Sequence, residues 1–204
     1  MLPRPTWTLA GLLLGACAEP PAQPGAALVT VPSTVPSTAV VDLQGVPVDP
    51  LTGDHVTVLL FISTHCPISN RYAPTIGALA RSWADRGVRL WLVYPDPDDE
   101  PAVIRTHQTE FALDLPAVPA LRDPGHLLVA RAGARVTPEV AVFGPGAATP
   151  AYHGRIDDRV QGFGKIRPEA SVHELRDAVE AMLRGEAPRP AQGPAFGCYI
   201  SDLQ

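Results

Sequence analysis

Few side chains in this sequence pair a nucleophile with neighbours able to tune it, and Cys66 does so most directly. It stands in Thr64-His65-Cys66-Pro67-Ile68-Ser69, just after the apolar run Val56–Ile62 and just before a helix-like pattern. A cysteine at the carboxyl end of a buried strand and the amino end of a helix meets unpaired backbone N–H groups and the positive end of the helix dipole. Both favour the thiolate and lower the thiol pKa. The chemistry open to such a group is attack on a disulfide or a peroxide, giving a mixed disulfide or a sulfenic acid. The hydroxyls of Thr64 and Ser69 can hydrogen-bond the thiolate. His65 can modulate the thiol or exchange protons with it, or simply line the site.

A second thiol is needed to resolve such an intermediate, and the chain has three cysteines in all. Cys17 is spoken for by a different pattern. Arg4, the short apolar run Leu9–Leu14 and small residues read as an export signal. The run is too short to span a bilayer as a mature helix. Leu14-Gly15-Ala16-Cys17 resembles the bacterial lipobox, which implies cleavage before Cys17 and lipid on its sulfur; an ordinary signal peptide cut after Ala16 or Ala18 is the alternative. Ala18 is not the aspartate associated with inner-membrane retention, so the expected place is the periplasmic face of the envelope, anchored in the outer membrane. That leaves Cys66 and Cys198 as the thiols of an exported, disulfide-permissive chain.

The elements that must position Cys66 follow from pattern. The expected organisation is a signal peptide at 1–16, a tether at 17–38, a folded domain at 39–184 and a tail at 185–204. The tether is rich in Pro, Ala, Ser and Thr and contains Val-Pro-Ser-Thr twice in a row. Apolar residues make up 46% of the 204, enough for one packed core, and a formal charge of −5 gives nucleic acid no basic surface to bind. Val40–Val48 reads as a hairpin turning at Gln44-Gly45. Strands are expected at Val56–Ile62, Val88–Tyr94, Ala117–Leu121, Glu139–Phe143 and Pro150–Ile156. Helices are expected from Ser69 or Asn70, either of which can cap, to Arg86, with Pro74 early in it or kinking it; then at Pro101–Phe111 and Gly125–Ala132. A last helix spans Ser171–Arg184, where Ser171 and Glu174 form a capping box. The acidic run Asp96–Glu100 reads as capping and dipole complementarity for the helix after it. The tail carries no periodic pattern. This order is that of an α/β sandwich with a mixed central sheet flanked by helices.

The residues around Cys66 resemble the thioredoxin-like superfamily, which places a Cys-x-x-Cys between a central strand and a long helix, with a proline eight residues after the first cysteine. Pro74 stands at that spacing here. Thr137-Pro138, followed by an apolar strand, a glycine turn, a strand and a helix, is similar to the family's cis-proline segment. The resemblance covers about residues 40–184 and suits the larger redoxin branch, which includes exported bacterial proteins ending in a Gly-Cys tail like Gly197-Cys198. It implies a thioredoxin-like sandwich, a catalytic role for Cys66 and Pro138, and substrate contacts at Thr64, His65, Pro67, Ser69 and the backbone of Thr137. It implies no cofactor or resident metal, and as partners protein or small-molecule thiols and disulfides.

One departure matters. Ser69 replaces the second cysteine of the motif, so no local disulfide can form. Cys66 then makes mixed disulfides only, pairs with Cys198, or has lost redox function; a pairing with Cys198 can be redox-active or a static clasp. Three activities compete. The first is thiol–disulfide exchange. The second is peroxidase chemistry, against which Leu59 and Ser63 stand where peroxiredoxins carry proline and threonine. The third is copper binding through His65 and Cys66 with His153 or Cys198. His55, His107, His126 and His173 read as surface residues. Gly154 fits a family glycine near the site, and Arg155 and Asp157 read as a structural ion pair in preference to substrate contacts.

Overall fold

The computed structural model describes residues 39–201 and 203. In chain order the elements are β1 (Val41–Asp42), β2 (Val56–Phe61), α1 (Pro67–Arg71), α2 (Ala73–Trp83), β3 (Val88–Tyr94), α3 (Pro101–Glu110), β4 (Ala120–Arg122), α4 (Leu127–Ala132), β5 (Val136–Thr137), β6 (Glu139–Phe143), β7 (Tyr152–Gly154), β8 (Val160–Gly162), β9 (Lys165–Ile166), α5 (Glu174–Leu183) and β10 (Cys198–Tyr199). Cys17, the expected signal peptide and the whole of the expected tether lie outside the described residues.

One six-stranded sheet runs β1-β4-β3-β2-β6-β7. β2 is parallel to β3, and β3 to β4; β6, β7 and β1 run antiparallel to their neighbours. β2 lies inside the sheet and is buried at every position, which explains why it is apolar at all but Thr57. Its alternate side chains feed two cores. Val58, Leu60 and Ile62 pack with Ile76 and Trp83 of α2, Ile104 of α3 and Leu175 and Val179 of α5. Leu59 and Phe61 pack on the opposite face with Leu128 and Val129 of α4, Leu51 and Ile200. The expected mixed sandwich is therefore present, and Cys66 comes immediately off its central strand.

Several local expectations give way to tertiary partners. The helix after Cys66 is two helices. Neither Ser69 nor Asn70 caps the first; its N-cap is Cys66, with Pro67 following. Pro74 has no N–H to give the carbonyl one turn back, so the helix breaks at Tyr72 and restarts. The capping box at Ser171 and Glu174 is absent. His173 holds the N-cap position with no side-chain bond; Ser171 turns to Asp158, and Glu174 pairs with Arg155. The acidic run caps nothing on α3: Glu100 occupies the N-cap without a side-chain bond, and Asp99 is buried elsewhere. The hairpin β8–β9, with Phe163 exposed at its tip, carries no alternation and was not expected.

α4 depends on one carboxylate. Asp123 is fully buried and accepts the N–H groups of Leu127, Leu128 and Val129 at 2.8, 2.9 and 3.0 Å. Asp123→Ala would leave three donors unpaired under the sheet. The expected cost is about 2 kcal/mol of stability, seen as a lower urea midpoint at unchanged slope. An unchanged midpoint would mean that α4 does not need its cap.

Candidate functional site

Cys66 sits in extended conformation (φ −88°, ψ 109°) where β2 gives way to α1. Its relative exposure is only 1%. Three groups surround the sulfur. The first is Thr137 at the end of β5, whose carbonyl oxygen accepts from Cys66 Sγ at 2.9 Å. The Thr137–Pro138 peptide is cis, as the resemblance implied. The second is Ser69, at the fourth position of the motif, whose hydroxyl is buried without a hydrogen-bond partner. The third is Cys198, which lies opposite Thr137 in the β10–β5 ladder and packs against the core cluster to which Cys66 belongs.

The position of Cys198 is set by backbone pairing. β10 runs antiparallel to β5 with Cys198 opposite Thr137 and Tyr199 opposite Val136. The Ile200 N–H donates to the Arg135 carbonyl at 3.0 Å. β5 is itself held from behind by Glu139. That buried carboxylate accepts the N–H groups of Arg135 and Val136 at 2.7 and 3.2 Å and lies 3.0 Å from His153 Nε2. Burial pushes the Glu139 carboxyl up, but His153 and the two N–H donors outweigh it and keep it below the ordinary glutamate range. The tail is thus a docked strand, although its sequence carries no strand period. A two-residue ladder is too short to leave one.

The two thiols are electrostatically unlike. Burial pushes the Cys66 thiol up, but donors from Cys198 and Ser69 outweigh it and leave its pKa below the ordinary value of 9.0. Cys198 is pushed up to about 11, by burial first and then by the neighbouring Cys66 sulfur. Both are free thiols. The arrangement is therefore a sulfur with a lowered pKa at Cys66 beside a thiol with a raised one at Cys198.

The remaining expected residues divide. Thr64 does not reach the thiolate: its hydroxyl donates to Asp99, which is 1% exposed. Burial, with the Asp96 charge adding, raises the Asp99 carboxyl above its ordinary range. His65 is exposed beside Cys66, and with Thr64, Val103, Thr106, His107 and Glu110 it lines a cleft of about 240 Å³. Pro67 is exposed at the first turn of α1. His107 corrects the surface reading of the histidines, being only 4% exposed. Its Nε2 lies 2.8 Å from Asn70 Oδ1, which can only accept, so Nδ1 is left to accept from Tyr94 Oη at 3.0 Å. Burial, with His65 adding, lowers its pKa and keeps it neutral. An aromatic β3 residue facing a histidine on the next helix was the available signal. Arg155 and Asp157 do not pair with each other. Arg155 Nε meets Glu174, and Asp157 accepts the Tyr72 hydroxyl at 2.6 Å. His153 is engaged with Glu139, and among the described residues no group of three or more His, Cys, Asp or Glu side chains gathers as a metal site.

Neither a protein-family model nor a curated protein sequence matches the chain. Solved structures do. An uncharacterized conserved protein from Geobacillus kaustophilus superposes with a TM-score of 0.63 at 23% identity, over 79% of this chain and 86% of that one. A hypothetical protein from Sinorhizobium meliloti superposes with a TM-score of 0.65 at 23% identity, over 79% and 88%. An uncharacterized thioredoxin-like protein from Porphyromonas gingivalis matches at 16% identity over 74% and 90%, with a TM-score of 0.48. The fold is thioredoxin-like. Strand order, the cysteine off the central strand and the cis-proline opposite it all agree with that.

The asymmetry of the thiols is open to titration. Thiolate absorbance of the reduced protein is expected to rise in two steps, one below pH 9.0 and one near about 11. Ser69→Ala removes a hydroxyl that lowers the Cys66 pKa and is expected to raise the first midpoint. A single step at the ordinary thiol value in both proteins would refute this account of the site.

Proposed function

We propose that this chain is a thiol–disulfide oxidoreductase of the cell envelope whose working pair is Cys66 and Cys198. The observation that supports the reading is the β10–β5 register, which sets Cys198 opposite Thr137, the residue whose carbonyl oxygen lies 2.9 Å from the Cys66 sulfur. Ser69 removes the local partner, and the tail supplies one from the far end of the domain.

In the reducing direction the Cys66 thiolate attacks one sulfur of a substrate disulfide. The S–S bond breaks, and the departing sulfur takes the electron pair and then a proton from solvent. Cys198, after losing its proton, attacks Cys66 Sγ and expels the second substrate thiolate. The net change is one substrate disulfide reduced to two thiols and two protein thiols oxidised to one disulfide. Run backwards, the same steps oxidise a substrate dithiol. Ser69 and the Cys198 N–H stabilise the attacking thiolate, while Thr137 and Pro138 shape the wall that an incoming chain would lie against. Substrate contacts at Thr64, His65 and Pro67 belong to the same reading, with Thr64 acting through Asp99.

Peroxide reduction has less support. Leu59 is buried within β2 and faces the core shared with α4, so it does not take part in the site. The cellular setting is also part of the proposal: the Leu14-Gly15-Ala16-Cys17 pattern supports export and lipid attachment at Cys17. No helix among the described residues is long and apolar enough to cross a membrane.

Oxidation with a small disulfide is expected to consume both Cys66 and Cys198 and to link them, as read by mass spectrometry of a peptide digest. Cys66→Ser should reduce exchange activity to background. Cys198→Ser should stall as a mixed disulfide on Cys66. Exchange that persists in Cys66→Ser would remove the proposal. Cys17→Ser is expected to release the protein from the membrane fraction, and unchanged fractionation would argue against the anchor.

A further inference from the structure

The docked tail creates a conflict that the two-thiol cycle alone does not address. Cys66 is 1% exposed, so no disulfide from outside can reach its sulfur in this arrangement. Part of the cover is the tail itself. Gly197 lies so close to the β5 edge that a Cβ there would fall 2.1 Å from the Thr137 carbonyl oxygen and 2.6 Å from its carbon. Cys198 and Tyr199 then continue as a strand along Thr137 and Val136. Both ends of the segment are anchored. Phe196 packs against the core cluster that contains Cys66, and Ile200, 6% exposed, is buried in the core on the other face. Tyr199 between them points outward and is 84% exposed. Further back, the Gln192 N–H donates to Glu174 at 2.8 Å, and Ala191 packs closely over Gly154. The tail is a strap tied at several points along the domain.

We propose that Gly197–Ile200 is a self-inhibitory strand. It occupies the β5 edge along which an extended chain would have to lie to present a disulfide to Cys66, and it closes the thiol from solvent. Gly197 is the positioning residue, because only a residue without a side chain can approach the Thr137 carbonyl so closely. The reduced protein is therefore latent. Cys66 reacts with an outside disulfide only when the strap lifts, and docking again delivers Cys198 to the mixed disulfide. A tethered strand competes at an effective concentration on the order of millimolar, so a free peptide must be abundant or well matched to displace it. The inference rests on Cys66 being the reacting thiol, but the test below reads access to that thiol and not turnover.

The test uses the full chain in a Cys198→Ser background, so that Cys66 is the sole thiol in the folded domain. Its rate of alkylation by iodoacetamide is measured alone, with Gly197→Ala, and separately with Ile200→Asp, which releases the other end of the strand. Each release is expected to accelerate alkylation at least tenfold. Lifting the strap also takes away the tail groups that lower the Cys66 pKa, which would slow the reaction, so acceleration reports access. Amide exchange along β6 is expected to stay unchanged, marking local release in place of global unfolding. Rates within twofold across the three proteins would overturn the proposal, as would acceleration accompanied by equal loss of protection in β6. Adding a free peptide Phe-Gly-Ser-Tyr-Ile to the Gly197→Ala protein should slow alkylation again. Failure to do so at millimolar peptide would overturn the claim that the edge accepts an extended strand. An inert Cys66 in disulfide exchange, with alkylation behaving as expected, would instead count against the oxidoreductase reading.

Discussion

The carboxylate of Glu139 is the interaction on which the geometry of this site depends. It takes the N–H groups of two successive residues, Arg135 and Val136, and so fixes β5 just before the chain turns into the sheet. From that strand the Thr137 carbonyl faces one cysteine, and the backbone edge receives the other. A buried carboxylate with several donors is costly to disturb, since loss of any partner leaves a polar group unsatisfied. The mutual placement of Cys66 and Cys198 is accordingly a property of the main chain on both sides. Side-chain flexibility contributes little to it.

Around this frame a second layer steadies the first helix. His107 joins α3 to α1 through Asn70 and to β3 through Tyr94, and Asp99 joins the acidic loop to Thr64. These bonds lie behind the strand–helix junction, where any drift would move the sulfur relative to β5. His107 and Asp99 are buried and carry shifted pKa values, as expected for polar groups held in a low-dielectric interior. Together they account for an acidic run and a histidine that local pattern alone leaves on the surface.

What the sequence disclosed is what burial dictates. β2, β3 and β6 are predominantly apolar because they lie inside the sheet, and their spans are readable almost to the residue. Cys66 and Pro138 are readable because strand ends and prolines leave strong local marks. Residues whose partners are distant were not legible. Ser171 and Glu174 have the spacing of a cap yet serve Asp158 and Arg155, and Asp99 serves Thr64 across 35 positions. β10 lacks any pattern because two backbone hydrogen-bonding residues and one buried isoleucine define it. The comparisons add the fold and leave the chemistry to the residues themselves.

The substitution of serine at position 69 has a thermodynamic side as well. A disulfide within one helical turn closes a tiny loop and barely restricts the unfolded chain. One between Cys66 and Cys198 would close a loop of about 130 residues, nearly the whole domain. On the chain-entropy estimate such a link removes roughly 5 kcal/mol of disorder from the unfolded state. The redox state of the pair would then set the folding stability of the entire domain, visible as a gap in melting temperature between the oxidised and reduced forms.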